Sequence, residues 1–518
     1  MPPPASRLPP TRTRSTAVAA LLAALVLLPL LGHKPLAEWD EAIYAEVARE
    51  MLSHSWLVPH WNQQLWLEKP PLTMWITAAL FKLFGITEFW ARATSALSGV
   101  ALVALLHRWL ARTRDTLTAW LATVMLLATF GFLHACHVGE TDIPLALACC
   151  IALIGLTQID QPTQPVAHQP RGWYLFWIAF AAALMTKGAA AIVLPLTAIA
   201  FAALQRWRAA RLGPPFWIGL ALFLLLVLPW HIAMYRLIPS TFLDEYLGLH
   251  VIARATRQIE GHDTPWWFYL KVLLVSAPPF VLLYPFAVAH AFRRRELRAW
   301  AIFALIVIAL YTAVQTRLPQ YIVPAYPALT LLTAVYLANR LKPLLAAHRS
   351  PRLWTALALI AAIVSAATIV ATNSARKSLH SATLADGTTL PDNKDSIALL
   401  RSVSRNLPPG VAAAIASTPG PLLLWRQGRI MSIATDVFYS RRQVQQVQLL
   451  PIPPSTPTDR YTFNPIPFDS AIPPNAVTPE PRLILLDRTL VPQLPAEFTY
   501  TPIQSFGAVE LGSIVRTR

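Results

Sequence analysis

Apolar stretches of about twenty residues, each near the length that crosses about 30 Å of hydrocarbon at about 1.5 Å per residue, recur along this 518-residue chain. They lie near residues 15–31, 93–111, 116–134, 143–157, 173–186, 188–205, 216–236, 267–291, 299–316, 318–338 and 353–371. A chain that is 55% hydrophobic and 13% charged has more apolar surface than one soluble core can hide. The pattern predicts an all-α polytopic membrane protein with about eleven crossings.

Charge supports that reading and sets an orientation. The formal net charge of +17 raises nucleic-acid binding as an alternative, but the basic residues fall in short clusters between apolar runs, as in loops beside anionic lipid. With Arg7, Arg12 and Arg14 on the cytoplasmic side, "HRWLARTR", "QRWRAAR", "FRRRELR" and "NRLKPLLAAHRSPR" all fall on that side too. The first apolar run lacks a cleavage-like A-x-A site and reads as a retained helix. The register holds if "PPLTMWITAALFKLFG", residues 70–85, lies in the outer interface as a helix that does not cross. Cys136, Cys149 and Cys150 have neither ligand spacing nor the arrangement of a disulfide framework.

From Thr372 the composition turns Pro-rich and polar, and short strand-like runs such as "VAAAIAS" and "RLILLD" appear. Two domains are therefore expected: a membrane domain over 1–371, with its first outer loop at 34–92, and a small soluble α/β domain over 372–518 on the outer face.

The polar clusters that topology leaves unexplained converge on that outer face. In "DEAIYAEVAREML", Asp40 and Tyr44 share a helix face. Asp40 and Glu41 sit where carboxylates favour a helix start, so capping competes with catalysis as their explanation. Glu46, Arg49 and Glu50 read as a solvated face. "WLEKPPL" presents Glu68 and Lys69 rigidly before two prolines, or a snorkelling lysine beside an aromatic anchor. Asp142, with Glu140 nearby, opens an apolar segment, and Lys187 in "MTKGAA" lies between two. Arg254, Arg257 and His262 precede the aromatic belt of Trp266, Trp267 and Tyr269, while Arg317 and Tyr321 sit at a Pro-punctuated helix start. Cations and tyrosines can stabilise a phosphate leaving group while a carboxylate orients or deprotonates an acceptor. No Gly-rich nucleotide loop occurs, so a polyprenyl phosphate sugar, delivered through the membrane, suits the site better than a nucleotide sugar.

The segment "DEAIYAEVAREMLSHSWLVPHWNQQLWLEKPPLTMWITAALFKLFGITEFWAR" resembles the first outer loop of the GT-C glycosyltransferases of the aminoarabinose transferase and protein O-mannosyltransferase superfamily. "TKG", "HDTPWWFYL" and "RLPQYIVPAYPAL" continue the likeness, which covers residues 1 to about 340. The resemblance implies a GT-C fold of about 11–13 transmembrane helices, with interfacial helices in the first outer loop. It implies an inverting hexosyl- or pentosyltransferase in the bacterial inner membrane, its active site and C-terminal domain facing the periplasm. The donor would be undecaprenyl phosphate sugar and the acceptor lipid A, lipopolysaccharide or another envelope component. Carried over by position, Asp40 is the catalytic carboxylate and Asp142 the second acidic residue, Lys69 contacts the donor phosphate, Arg254 and Tyr321, with His262 beside them, contact phosphate or acceptor, and Glu68 is a candidate ligand for a divalent metal; Glu41 is a further catalytic candidate, and Tyr44, Lys187 and Arg317 are further candidates for binding donor phosphate or substrate. Membrane lipids, a sugar donor and a lipid or protein acceptor are the expected partners, and nucleic acid is not.

Two departures bear on specificity. Ile43 stands where aminoarabinose transferases usually carry an arginine, and Arg317 replaces a usual lysine. Protein hydroxyls are therefore an alternative acceptor. From another class, a lipid-linked sugar transporter or flippase would place its charges in mid-span rather than at span ends.

Overall fold

The computed structural model describes residues 10–37, 39–160, 169–207, 212–253, 264–347, 418, 420–425, 434–448, 466–467, 471–472 and 480–517. Arg254, Arg257, His262, the expected span at 353–371 and the run "VAAAIAS" lie outside them. The chain divides into two compact units, one of residues 1–32 and 67–373, the other of residues 33–66 and 374–518.

The first unit is a helical bundle. Its helices are α1 (Pro10–Leu27), α3 (Leu72–Phe84), α4 (Glu88–Thr113), α5 (Thr116–Leu127), α6 (Phe130–Cys136), α7 (Asp142–Ile159), α8 (Gln169–Lys187), α9 (Val193–Leu204), α10 (Pro214–Leu237), α11 (Phe268–Ser276), α12 (Tyr284–Phe292), α13 (Arg298–Ala313) and α14 (Ala325–Ala347). Local chemistry sets several starts. Asp115 Oδ1 accepts from the Thr118 N–H at 2.9 Å, Thr87 Oγ1 accepts from the Trp90 N–H, and Pro214 opens α10, where the missing N–H costs nothing. Glycines set the spacing: a Cβ on Gly155 would lie 2.6 Å from the Gly172 carbonyl oxygen, so α7 and α8 touch backbone to backbone.

By length and apolarity, five helices among the described residues could cross a membrane, or seven if two bent pairs each count as one span. This is fewer than the eleven crossings expected, for physical reasons. The apolar stretch Arg171–Leu204 counts once, yet it folds back on itself. Trp173 near its start and Trp207 just past its end have ring centroids 5.9 Å apart, and Gly188 turns the chain with φ of 54°. Helix α1 is short, but it runs the length of α4, from the Ser15–His107 contact at 2.8 Å to the Leu31 carbonyl, which accepts from Arg92 at 2.6 Å. Helix α14 likewise runs from Tyr326, against Gly131, to Lys342, against Asp115. At 13 residues α3 is too short to cross, and it packs on α4.

One end of the bundle carries structural ion pairs. Arg295 donates to Asp160 at 2.7 and 2.9 Å, Trp207 Nε1 donates to the same carboxylate at 2.7 Å, and Lys342 and Arg114 pair with Asp115 and Glu296. The end of α7 and the turn between α12 and α13 are thereby joined.

The second unit contains a six-stranded mixed sheet, with the order β5-β4-β3-β6-β8-β7. Its strands are β3 (Leu422–Trp425), β4 (Val444–Gln448), β5 (Ile466–Pro467), β6 (Arg482–Asp487), β7 (Phe498–Phe506) and β8 (Val509–Arg516). The first four run parallel and β8 and β7 close one edge as an antiparallel hairpin. "RLILLD" is the central strand β6, buried through Leu483–Leu486. A short helix, α15 (Ala434–Ser440), precedes β4. The same unit holds the first-loop helix α2 (Asp40–Glu50) and a small hairpin, β1 (His60–Trp61) and β2 (Gln64–Leu65). The expected boundary near residue 372 thus meets a different grouping, in which the front of the first outer loop packs with the C-terminal domain.

Candidate active site

In the bundle, the end opposite the Asp160 cluster gathers several of the expected residues. Asp142 is the first residue of α7, Lys187 the last of α8, and Lys187 Nζ donates to Asp142 Oδ1 at 2.6 Å. Both side chains are nearly buried, at 3% and 11% exposure, so the pair is screened from water. The Lys187 ammonium also stands 5.4 Å from the centre of the Tyr321 ring. Tyr321 lies in the 3₁₀ turn Pro319–Ile322, against Tyr311 at 5.1 Å. Tyr269 donates to the Leu318 carbonyl at 3.1 Å and braces that turn.

The fold-back at Gly188 brings two further segments to the same place. A Cβ on Gly188 would come within 3.0 Å of the Tyr246 hydroxyl and 3.4 Å of the Pro70 ring, so only glycine fits the positive φ and the space together. "EKPPL" and "TKG" therefore abut, and Lys69, half-buried, precedes the proline that makes the contact. Tyr246 sits on the π-helical segment Phe242–Ala253, with its hydroxyl 3.4 Å from His231 Nε2 of α10. Sequence reasoning missed Tyr246 and Tyr311, because a lone tyrosine in an apolar run carries no signal of what it will face, and it read Tyr269 only as part of an aromatic belt.

Arg317 serves the scaffold. Its Nε donates to the Thr312 carbonyl at 3.1 Å and Nη1 to the Thr264 carbonyl, strapping the end of α13 to the residues that lead into α11. Arg92, the arginine after "LFG", closes the end of α1 on Leu31. Glu68 is 6% exposed. Among the described residues no group of three or more His, Cys, Asp or Glu could hold a metal ion.

In the second unit, Asp40 begins α2 and is half-buried, directly after Trp39, which is held at φ 70°. A bulky residue in the left-handed region is costly and fixes the entry of the helix. The capping position belongs to Trp39, which supplies no side-chain cap, whereas Glu41, 2% exposed, accepts from the Ala37 N–H at 2.5 Å and secures the approach. Tyr44 is buried edge-on against Trp66, with centroids 5.9 Å apart.

The solvated face expected for Glu46, Arg49 and Glu50 is not one. Glu46 is fully buried and Glu50 2% exposed; Arg49 Nε donates to Glu46 Oε2 at 2.7 Å, and both Glu50 oxygens accept from the Gln63 N–H at 3.1 Å. Burial, then the neighbouring Glu46 charge and a hydrogen bond to it, push the Glu50 carboxyl up to about 8. The misreading has a simple cause: helical periodicity places these residues on a face but does not say that other parts of the unit, such as the turn at Gln63, will cover it. Ile43, where the resemblance expects arginine, is 2% exposed.

The chain matches a crystal structure of ArnT from Cupriavidus metallidurans bound to undecaprenyl phosphate, with a TM-score of 0.73 over 97% of this chain and 98% of that one, at 21% identity. The chain shares the GT-C fold of that enzyme. A GT-C oligosaccharyltransferase from Archaeoglobus fulgidus aligns more distantly, with a TM-score of 0.51 over 84% of this chain and 64% of that one, at 12% identity. Residues 68–232 match the family described as dolichyl-phosphate-mannose-protein mannosyltransferase. Among sequence relatives, the undecaprenyl phosphate-alpha-4-amino-4-deoxy-L-arabinose arabinosyl transferase of Erwinia tasmaniensis is 31% identical over 62% of this chain and 59% of its own length. That of Pectobacterium carotovorum subsp. carotovorum is 30% identical over 63% and 60%. The chain thus spans about three fifths of the length of the curated relatives it matches. It is a multi-pass membrane protein, and its membrane end with Asp142, Lys187 and Tyr321 is the candidate GT-C site.

Proposed function

We propose that this protein is an inverting glycosyltransferase that moves a sugar from undecaprenyl phosphate to lipid A or another envelope acceptor, at the periplasmic side of a bacterial inner membrane. The observation that carries this reading is the buried Asp142–Lys187 pair under the Tyr321 ring, at one end of a GT-C bundle. An ammonium has three donors; Asp142 fixes its position through one, which suits the group to hold a further anion such as a phosphate. Its orientation is set before substrate arrives, so little reorganisation opposes charge growing on the departing phosphate.

Lys69 and Arg254 are the other proposed phosphate contacts, with His262 as a further one and Tyr44 at the sugar. Asp40 is the proposed carboxylate that orients or deprotonates the acceptor: the acceptor oxygen attacks the anomeric carbon, the bond to phosphate oxygen breaks, and undecaprenyl phosphate leaves with both electrons of that bond. Glu41 and Arg317, candidates for catalysis and binding in the sequence, are better explained as structural supports, from the bonds described above.

Buried Ile43 gives a specific reason to keep protein hydroxyls as a second acceptor class, because it removes a cation that could meet a lipid A phosphate. The transport reading loses ground, since Asp142–Lys187 sits at one end of the bundle and Asp160–Arg295, Asp115–Lys342 and Arg114–Glu296 at the other.

The test is a reconstituted assay with radiolabelled undecaprenyl phosphate aminoarabinose and lipid A vesicles, comparing wild type with Asp40→Asn and Lys187→Met. Label should reach lipid A only with wild type, the variants losing at least about 100-fold in rate. Label that stays on the donor with folded wild type, while membrane protein extract becomes labelled, would move the acceptor to protein; undiminished transfer by Asp40→Asn would remove Asp40 from the chemistry.

A further inference from the structure

The helix that bears Asp40 is held at both ends by the C-terminal domain. Ahead of α2, the Leu36 N–H donates to the Tyr439 hydroxyl of α15 at 2.8 Å, in a buried bond spanning 403 residues of sequence. Between Leu36 and the helix, Glu41 ties back to Ala37. Beyond the other end of α2, the β1–β2 hairpin turns through Asn62 and Gln63, both with positive φ, as a two-residue hairpin of this twist requires. The turn aims Asn62 at the first residue of β4. Its Oδ1 accepts from the Val444 N–H at 2.8 Å and its Nδ2 donates to the Val444 carbonyl at 3.2 Å. One amide thus satisfies both backbone groups of a strand residue, as a neighbouring strand would. The next residue, Gln63, donates its N–H to the Glu50 carboxylate at the last position of α2. Helix α2 itself packs on α15 and is buried along nearly its whole length.

We propose that the C-terminal domain is a positioning device for the transferase, with Tyr439 and Asn62 as the residues through which its sheet and α15 fix the helix carrying Asp40. The proposal rests on the reading of Asp40 as the acting carboxylate. Neither residue touches substrate: each acts through α2, one at its start and one at its end. Displacing a reacting group by about 1 Å can cost about 100-fold in rate, so these contacts matter to turnover even where they add little to stability.

Two full-length variants test it. Tyr439→Phe removes one hydroxyl, and Asn62→Gly removes the amide while keeping the positive φ; Asn62→Asp, which keeps the acceptor for the Val444 N–H, serves as partial rescue. The readouts are amide hydrogen exchange over residues 40–50 and steady-state transfer from undecaprenyl phosphate aminoarabinose to lipid A vesicles. Expected are faster exchange in α2 with unchanged exchange in α7 and α8, a fall in kcat of about 10- to 100-fold with the KM for the donor unchanged, and intermediate values for Asn62→Asp. Unchanged exchange in α2, or a rise in KM without a fall in kcat, would overturn the positioning role. Faster exchange with full transfer would overturn the role of α2 in the chemistry, and Asp40→Asn, which does not disturb the clamp, would then be active as well. If one variant fails to fold, the other carries the test, because the two bonds lie at opposite ends of α2.

Discussion

At the residue scale, two buried charge clusters behave differently. Asp142 and Lys187 compensate each other, so removing either leaves an uncompensated charge in a poorly solvated place. Asp142→Asn or Lys187→Met alone should cost about 3–5 kcal/mol, and the double variant clearly less than the sum. The thermal midpoints of the four proteins in detergent would show it, and strict additivity would mean that the pair is not coupled. In the cluster of Glu46, Arg49 and Glu50, two carboxylates face one guanidinium. With its folded pKa raised from an ordinary 4.5 to about 8, Glu50 binds its proton more tightly in the native state. Stability from this group is therefore full below about pH 4.5 and is lost as pH rises through about 8. Glu50→Gln should flatten the pH dependence of stability across that window; an unchanged slope would show that Glu50 titrates normally.

At the element scale, the α7–α8 contact depends on two glycines. Because the carbonyl of Gly172 lies 2.6 Å from where a Cβ on Gly155 would sit, Gly155→Leu must push the helices apart and disturb the Asp142–Lys187 pair at their far end. The expected cost is at least about 1–3 kcal/mol of stability, together with loss of transfer. Melting and activity of Gly155→Leu beside a lipid-facing control, Ile199→Leu, would check it. The helices themselves were legible from apolar length, and so was the reversal at Lys187–Gly188, which separates the apolar runs 173–186 and 188–205; the Trp173–Trp207 contact shows the two halves folded back on each other.

At the scale of the whole molecule, the basic loops make an orientation prediction. Arg293 is exposed at the end carrying the Asp160–Arg295 pair, and Gln315 is exposed just before the turn that holds Tyr321. If positive loops stay inside, Gln315→Cys should react with a membrane-impermeant maleimide in intact spheroplasts, and Arg293→Cys only after permeabilisation. The native Cys136, Cys149 and Cys150 are buried, so background should be low, and the reverse labelling pattern would invert the topology.

The sequence by itself determined the membrane class, the run of helices and the GT-C likeness, because apolar length, basic-loop alternation and short motifs such as "EKPPL" are local properties of the chain. It also singled out Asp142, Lys187 and Tyr321, although not that the first two form a buried pair beneath the ring of the third. Only tertiary structure decided what the carboxylates of α2 do. Glu46 and Glu50 are buried where α15, nearly 400 residues later in the chain, and the β1–β2 hairpin pack on α2, with Gln63 donating to Glu50. Burial of that kind arises from long-range contact, and a pattern read along one segment cannot contain it.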